Sequence, residues 1–210
     1  VKRTVFRGVI GLWVAGALFF CPARPAQAEA PVSSPVWKLS SGVRANFRDK
    51  SRSGHEWVTR GEVFRAFCEA WRATLFGEFR SNLEDKITSR MELGGELGVQ
   101  PFSWLYLGSG VHQAWIKPGS DDPEWESRAL FEFPIRFWRI REKPVALYFL
   151  EEFTFNMEMG EGTRNEVGAG FRVPLPVEKF EPVLLLGWRH VDLIHSEDVD
   201  QFEGMVELTF

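Results

Sequence analysis

The chain has 210 residues, 25 basic against 29 acidic side chains, 44% hydrophobic residues, nine tryptophans and two cysteines. That length suits one domain, and the mildly acidic balance with no basic patch excludes nucleic acid as an expected partner. No segment beyond the first thirty residues approaches the roughly 20 apolar residues of a transmembrane helix.

The first segment has three parts. Lys2, Arg3 and Arg7 form a positive start, Gly8 to Phe20 is apolar apart from glycine, and Ala26-Gln27-Ala28 offers small residues for cleavage. Together they read as a secretory signal over 1–28, with Glu29 as the first mature residue. Its loss removes four basic and no acidic residues, leaving 21 basic against 29 acidic. Cys21 leaves with it, because Phe20 is not the small residue that lipid attachment needs. The mature chain keeps Cys68, read as a small apolar filler, so no disulfide can form within it.

From residue 36 onward the dominant period is two. In 37–47, Trp37, Leu39, Val43, Ala45 and Phe47 oppose Lys38, Ser40, Arg44 and Asn46. In 86–100, Ile87, Met91, Leu93, Leu97 and Val99 oppose Lys86, Thr88, Arg90, Glu92, Glu96 and Gln100. In 125–137, Ala129, Phe131, Phe133, Ile135 and Phe137 oppose Glu126, Arg128, Glu132 and Arg136. In 164–175, Val167, Ala169, Phe171 and Val173 oppose Glu166, Gly168, Gly170 and Arg172. Successive strand side chains point to opposite faces, so each segment has one oily and one charged face. A soluble sandwich alternates too, but its strands run about 5–6 residues. These segments are nearer the 9–11 or so residues of a tilted membrane strand.

The chain ends Phe202, Gly204, Val206, Leu208, Phe210 at the same period. A last strand closing on an aromatic resembles the assembly signal of outer-membrane barrels. That resemblance implies periplasmic termini, and Phe202, Val206, Leu208 and Phe210 as the contact with the barrel-assembly machinery. Counting back from Phe210 gives strands near 200–210, 181–193, 164–175, 144–157, 125–138, 103–116, 86–100, 71–84 and 36–47. The segment 57–70 alternates poorly, and Glu62–Ala70 also fits a helical turn or two; read as a strand, it makes ten. The expected fold is all-β: a closed antiparallel transmembrane barrel over 29–210, about ten strands, with eight or twelve open. Trp37, Trp71, Trp104, Trp138, Trp57, Trp115 and Trp125 fall at strand ends, where aromatic girdles meet the two interfaces.

The charged face collects Arg44, Glu78, Arg80, Arg90, Glu92, Glu96, Arg128, Glu132, Arg136, Glu152, Glu166, Arg172 and Glu207. Buried carboxylates need partners, and the Arg fork suits them, so these residues read as a salt-bridge ladder filling the lumen. The alternative is a charged constriction for small polar solutes. For Arg80 the expected partners are Glu78, Glu92, Glu96 and Glu152. His190 and Asp192 share a face at spacing two and are the candidates for a base and its orienter, though no Gly-flanked serine accompanies them. His112 faces the lumen, at opposite parity to Ser109. His195, Glu197 and Asp198 read as solvated rim residues, and neither a metal nor a cofactor is expected.

Four stretches carry a family resemblance: Leu75–Asn82 (LFGEFRSN), Leu93–Trp115 ending GSGVHQAW, Tyr148–Asn156 (YFLEEFTFN) and Arg164–Phe171 (RNEVGAGF). In this order they resemble the family called domain of unknown function 2490, predicted outer-membrane proteins. The matching positions are Arg80, Glu152, Phe153, Asn156, Arg164 and Asn165, and 48–70 departs from the pattern. The resemblance implies a location in the outer membrane of a Gram-negative-type bacterium, with outer-membrane lipid as a partner, and brings no activity. The expected role is a non-enzymatic scaffold or narrow pore with a charged lumen. The alternative is a lipid- or peptide-hydrolysing enzyme with its site at the extracellular rim. Mass spectrometry of the exported protein should find Glu29 at the amino terminus; a mature chain retaining 1–28 would contradict the signal.

Overall fold

The computed structural model describes residues 34–46, 55–67, 70–83, 89–117, 119, 121–177, 182–193 and 198–210. The expected signal peptide, Phe47, Cys68, Lys86, Ile87, Thr88, His195 and Glu197 lie outside these residues.

Ten strands follow one another: β1 (Val36–Asn46), β2 (His55–Ala66), β3 (Trp71–Asn82), β4 (Ser89–Phe102), β5 (Leu105–Lys117), β6 (Asp121–Ile140), β7 (Lys143–Asn156), β8 (Glu161–Pro174), β9 (Val183–Leu193) and β10 (Val199–Thr209). Each pairs antiparallel with the next, and β1 pairs with β10, which closes the sheet. The seam runs Lys38↔Thr209 to Asn46↔Gln201, and Phe210 N–H donates to the Trp37 carbonyl at 2.9 Å. Closure matters because hydrocarbon offers backbone groups no partner, and only a sheet without edges satisfies them all. We call the end that holds Val36 and Thr209 the terminal end.

Alternation sorts the side chains as expected. Leu75, Leu93, Leu97, Val111, Phe149, Val167 and Val206 stand exposed on the outside, Leu75 to 65%. The charged set, Arg136 excepted, turns inward and is buried or half-buried. A closed sheet with an apolar outside and a charged inside is the architecture of outer-membrane barrels, which cross the bilayer with strands rather than helices. On the outside, the side-chain-free Gly61 and Gly77 leave an apolar groove of about 580 Å³ between Trp37, Leu39, Leu75 and Leu93.

Three details differ from the sequence reading. First, β2 is a full strand over 55–66 with no helical turn. Its pattern is blurred because apolar Val58 and Phe64 point inward with Arg60 and Glu62, while Thr59, Gly61 and Arg65 point outward. Second, β6 starts at Asp121, so the expected loop 117–124 is shorter. Third, β6 outruns its neighbour. β5 meets it only as far as Leu105↔Phe131, and beyond that β6 and β7 continue as a hairpin past the barrel wall.

That hairpin corrects the placement of Arg136. A register shift between Ile135 and Arg139 lifts Arg136, Phe137 and Trp138 out of the ladder. Arg136 is exposed rather than in the lumen, and Phe137 is 93% exposed. Trp138 folds back onto Phe171, with ring centroids 5.7 Å apart. The turn itself has Arg141 at φ 45 and Glu142 at φ 63, both left-handed as a two-residue hairpin turn of this type requires.

Phe133 sits in an aromatic stack at the terminal end: Trp104 lies 5.8 Å from it, 6.3 Å from Phe131 and 5.1 Å from Phe102. This stack belongs to the interface girdle, whereas Leu75, paired with the row of Gly95, lies near mid-strand. Leu75→Arg should therefore cost about 2–4 kcal/mol and Phe133→Arg only about 0–1 kcal/mol. Equilibrium unfolding of the refolded barrel in lipid measures both, and equal costs would remove the depth assignment.

Candidate functional site: the charged lumen

Every inward strand position projects into a space about one side chain deep, so charges from different strands meet there. On β3 and β4 the register sets Glu78 opposite Glu92 and Arg80 opposite Arg90. Like charges opposite one another would repel, and the diagonal resolves this. Arg80 Nε donates to Glu78, its Nη2 lies 3.7 Å from Glu92, and Arg90 Nε reaches Glu92 at 2.5 Å. Arg60 of β2 adds a contact to Glu78 at 3.3 Å and one to Glu62 at 2.7 Å. Arg90 also bonds Glu124 of β6, passing over β5.

The opposite wall has its own cluster. Arg189 of β9 joins Glu166 of β8 at 2.8 Å to Glu203 of β10 at 2.7 Å. Arg44 lies 3.4 Å from the same Glu203, and the Tyr148 hydroxyl donates to it at 2.6 Å. Arg164 pairs with Glu166 and lies 3.6 Å from Glu152. Glu203 and Glu166 are 1% and 2% exposed, so three arginines and the Tyr148 hydroxyl have taken the place of water. At the terminal end Arg172 bridges Glu132 at 3.2 Å and Glu207 at 2.6 Å, and Lys38 meets Glu207 at 2.7 Å.

Two tyrosines close the remaining space, and glycines make room for them. The Tyr106 ring lies where a side chain at Gly98 would project. Its hydroxyl donates to Glu96, and the Arg72 guanidinium stacks 3.8 Å above the ring. Tyr148 reaches over β8 and β9 to Glu203, filling the space that side chains at Gly170 and Gly187 would occupy. Arg128 of β6 pairs with Glu96 of β4 at 2.8 Å and approaches Glu62 of β2 to 4.0 Å, a chord across the barrel. Beneath it a cavity of about 230 Å³, lined by Lys38, Glu62, Arg72, Glu132, Arg172 and Glu207 among others, faces the terminal end.

The lumen therefore gathers Arg44, Glu78, Arg80, Arg90, Glu92, Glu96, Arg128, Glu132, Glu152, Glu166, Arg172 and Glu207, all of which parity had placed on one face. Of the four partners expected for Arg80, Glu78 and Glu92 are in reach; Glu96 is held by Arg128 and Glu152 by Arg164. Sequence reasoning did not single out Arg60, Glu62, Arg189, Glu203 or Tyr148, and it named Arg164 only for the family resemblance, not as a ladder residue. The first two were hidden by the blurred pattern of β2. Glu203 was legible, since it alternates with Phe202 and Gly204 in the last strand.

His190 and Asp192 share a face, but it is the outward one at the far end of β9. His190 Nδ1 hydrogen-bonds Asp200 of β10 at 3.0 Å and not Asp192, and its ring stacks on Trp188. The base–orienter pairing expected of His190 and Asp192 is corrected accordingly: β10 brings a different acid beside the imidazole. Among the described residues no serine, threonine or cysteine hydrogen-bonds His190. Phe202, Val206, Leu208 and Phe210 all point outward.

No family model matches the chain, and no curated protein is similar to it. Solved structures similar to it include a porin, KdgM, 6% identical over 84% of this chain and 99% of that one, with a TM-score of 0.41. A de novo designed transmembrane β-barrel is 10% identical over 85% of this chain and 99% of its own, with a TM-score of 0.36. Neisserial surface protein A is 10% identical over 85% and 97%, with a TM-score of 0.34.

Proposed function

We propose that this chain is a non-enzymatic outer-membrane scaffold whose lumen is held shut by its own ion pairs. The observation that carries this reading is the chord from Arg128 to Glu96 and Glu62, three strands brought together across the interior. A water-filled channel would hydrate its lining carboxylates; here Glu166 and Glu203 are buried and fully engaged by arginines. In this reading the terminal end faces the periplasm, and the outward row Phe202, Val206, Leu208 and Phe210 is what the assembly machinery reads. The resemblance to the domain of unknown function 2490 family belongs to the same proposal.

A second reading, a narrow pore for small polar solutes, is favoured by the charged cavity at the terminal end. It needs the Arg128 chord to open. The hydrolase reading has less support, because the His190–Asp200 pair faces outward and lacks a nucleophile among the described residues.

Planar-bilayer recording of the refolded protein separates the two. The wild type should show no sustained conductance. Arg80→Met or Arg128→Met leaves buried carboxylates uncompensated, and should cost about 3–5 kcal/mol and open a leak. Arg136→Met, on the exposed hairpin, should change neither. Steady conductance in the wild type would favour the pore, and an Arg80→Met protein with unchanged stability and conductance would end the ladder reading.

A further inference from the structure

We propose that the lumen binds one divalent first-row transition cation, of the Zn²⁺ class, between Glu92, His112 and Glu126. These residues come from β4, β5 and β6, three adjacent strands. All three are buried, and one donor atom from each lies within 4.8 Å of the others. Bonds of about 2.0–2.2 Å set donor separations near roughly 3.4 Å in a tetrahedral site, so small side-chain rotations close the set.

The donors are already divided between neighbours and the ion. Glu92 spends Oε1 on Arg90 and Arg80, which leaves Oε2 turned toward the imidazole edge of His112, 3.9 Å from Nε2. His112 Nε2 is 2.9 Å from Glu124 Oε2. An imidazole that donates there presents its Nδ1 lone pair to the other side, where Glu126 Oε2 stands 3.9 Å away. Two acceptors then face each other in a buried place.

The imidazole nitrogen and the other oxygen of the same carboxylate are both left unsatisfied. His112 Nδ1 and Glu126 Oε1 are buried and make no hydrogen bond. Nine glutamates are buried among the described residues, and eight of them have an arginine or lysine within 4.0 Å. Glu126 is the exception: Arg60 and Arg128 act on it from beyond that distance, and only His112 comes within it, at 3.9 Å. An unpaired buried carboxylate is costly, and a cation between it and Nδ1 satisfies both.

The donor chemistry selects the class. One imidazole with two carboxylates suits Zn²⁺ and its first-row neighbours, whereas Ca²⁺ and Mg²⁺ prefer all-oxygen sites. Glu124 on the far nitrogen is the outer-shell carboxylate that commonly orients a metal-bound histidine. The site stands whether or not the lumen conducts.

The test is calorimetric titration of Zn²⁺ into the chelator-treated, refolded mature barrel, with heat-modifiable gel mobility as the folding check. One saturable site per barrel is expected. Glu126→Gln, which keeps the shape and removes the charge, should weaken it about 100-fold or more, and Glu124→Gln about 10–100-fold. Glu151→Gln on the outward face and His190→Gln should leave it unchanged. X-ray absorption of the Zn²⁺-loaded wild type should show one imidazole and otherwise oxygen ligands, a reading that needs no variant to fold. Absence of a saturable site, unchanged binding in Glu126→Gln, or a sulfur or second imidazole ligand would each overturn the proposal; the first would mean that a proton alone satisfies Glu126 and His112.

Discussion

Charge buried in the lumen has to be paired, and the rest of this barrel is arranged around that requirement. Hydrocarbon outside forces closure of the sheet, and closure traps every second side chain in a narrow interior. Those side chains are long and charged, so they meet partners from two strands away: Arg90 with Glu124, Arg172 with both Glu132 and Glu207, Arg128 with Glu96. Arginine serves better than lysine here because its fork can hold two carboxylates at once, as Arg189 does between Glu166 and Glu203. The network thus ties non-adjacent strands together, which the backbone ladder cannot do.

Size matching completes the fill. The glycines at 98, 170 and 187 are inward positions where a tyrosine from one or two strands away needs the room. Tyr106 and Tyr148 then place apolar rings against the wall and hydroxyls on Glu96 and Glu203. Each tyrosine supplies bulk and a hydrogen bond together, which suits an interior that is crowded and charged.

Much of this was legible in the sequence, because a period of two on a one-sided sheet assigns each residue to oil or lumen. Nine of the ten strands, the seam at the terminal strand and twelve of the thirteen ladder residues, all but Arg136, follow from parity once closure is assumed. Where parity was interrupted, the reading weakened. In β2 apolar Val58 and Phe64 share the face of Arg60 and Glu62, and Phe64 has a reason to be there: the Arg72 guanidinium stacks 5.1 Å above its ring. At Arg136 a register shift, which leaves no mark in the alternation, turned an apparent lumen residue outward. Beyond Arg80 with Glu78 and Glu92, which arginine meets which glutamate was not legible, since cross-lumen pairs depend on register and curvature. The same holds for Glu126, whose lack of an arginine or lysine within 4.0 Å emerges only when the whole network is laid out.

If the lumen is a dry, interlocked network, its pairs should be strongly coupled; if it is a wet channel, water and salt should screen them. A double-mutant cycle on Arg189→Met and Glu203→Gln measures this directly, by equilibrium unfolding in lipid at low and high salt. The expected result is a coupling of about 1–3 kcal/mol that barely changes with salt. Additive single substitutions, or a coupling that vanishes at high salt, would contradict the account.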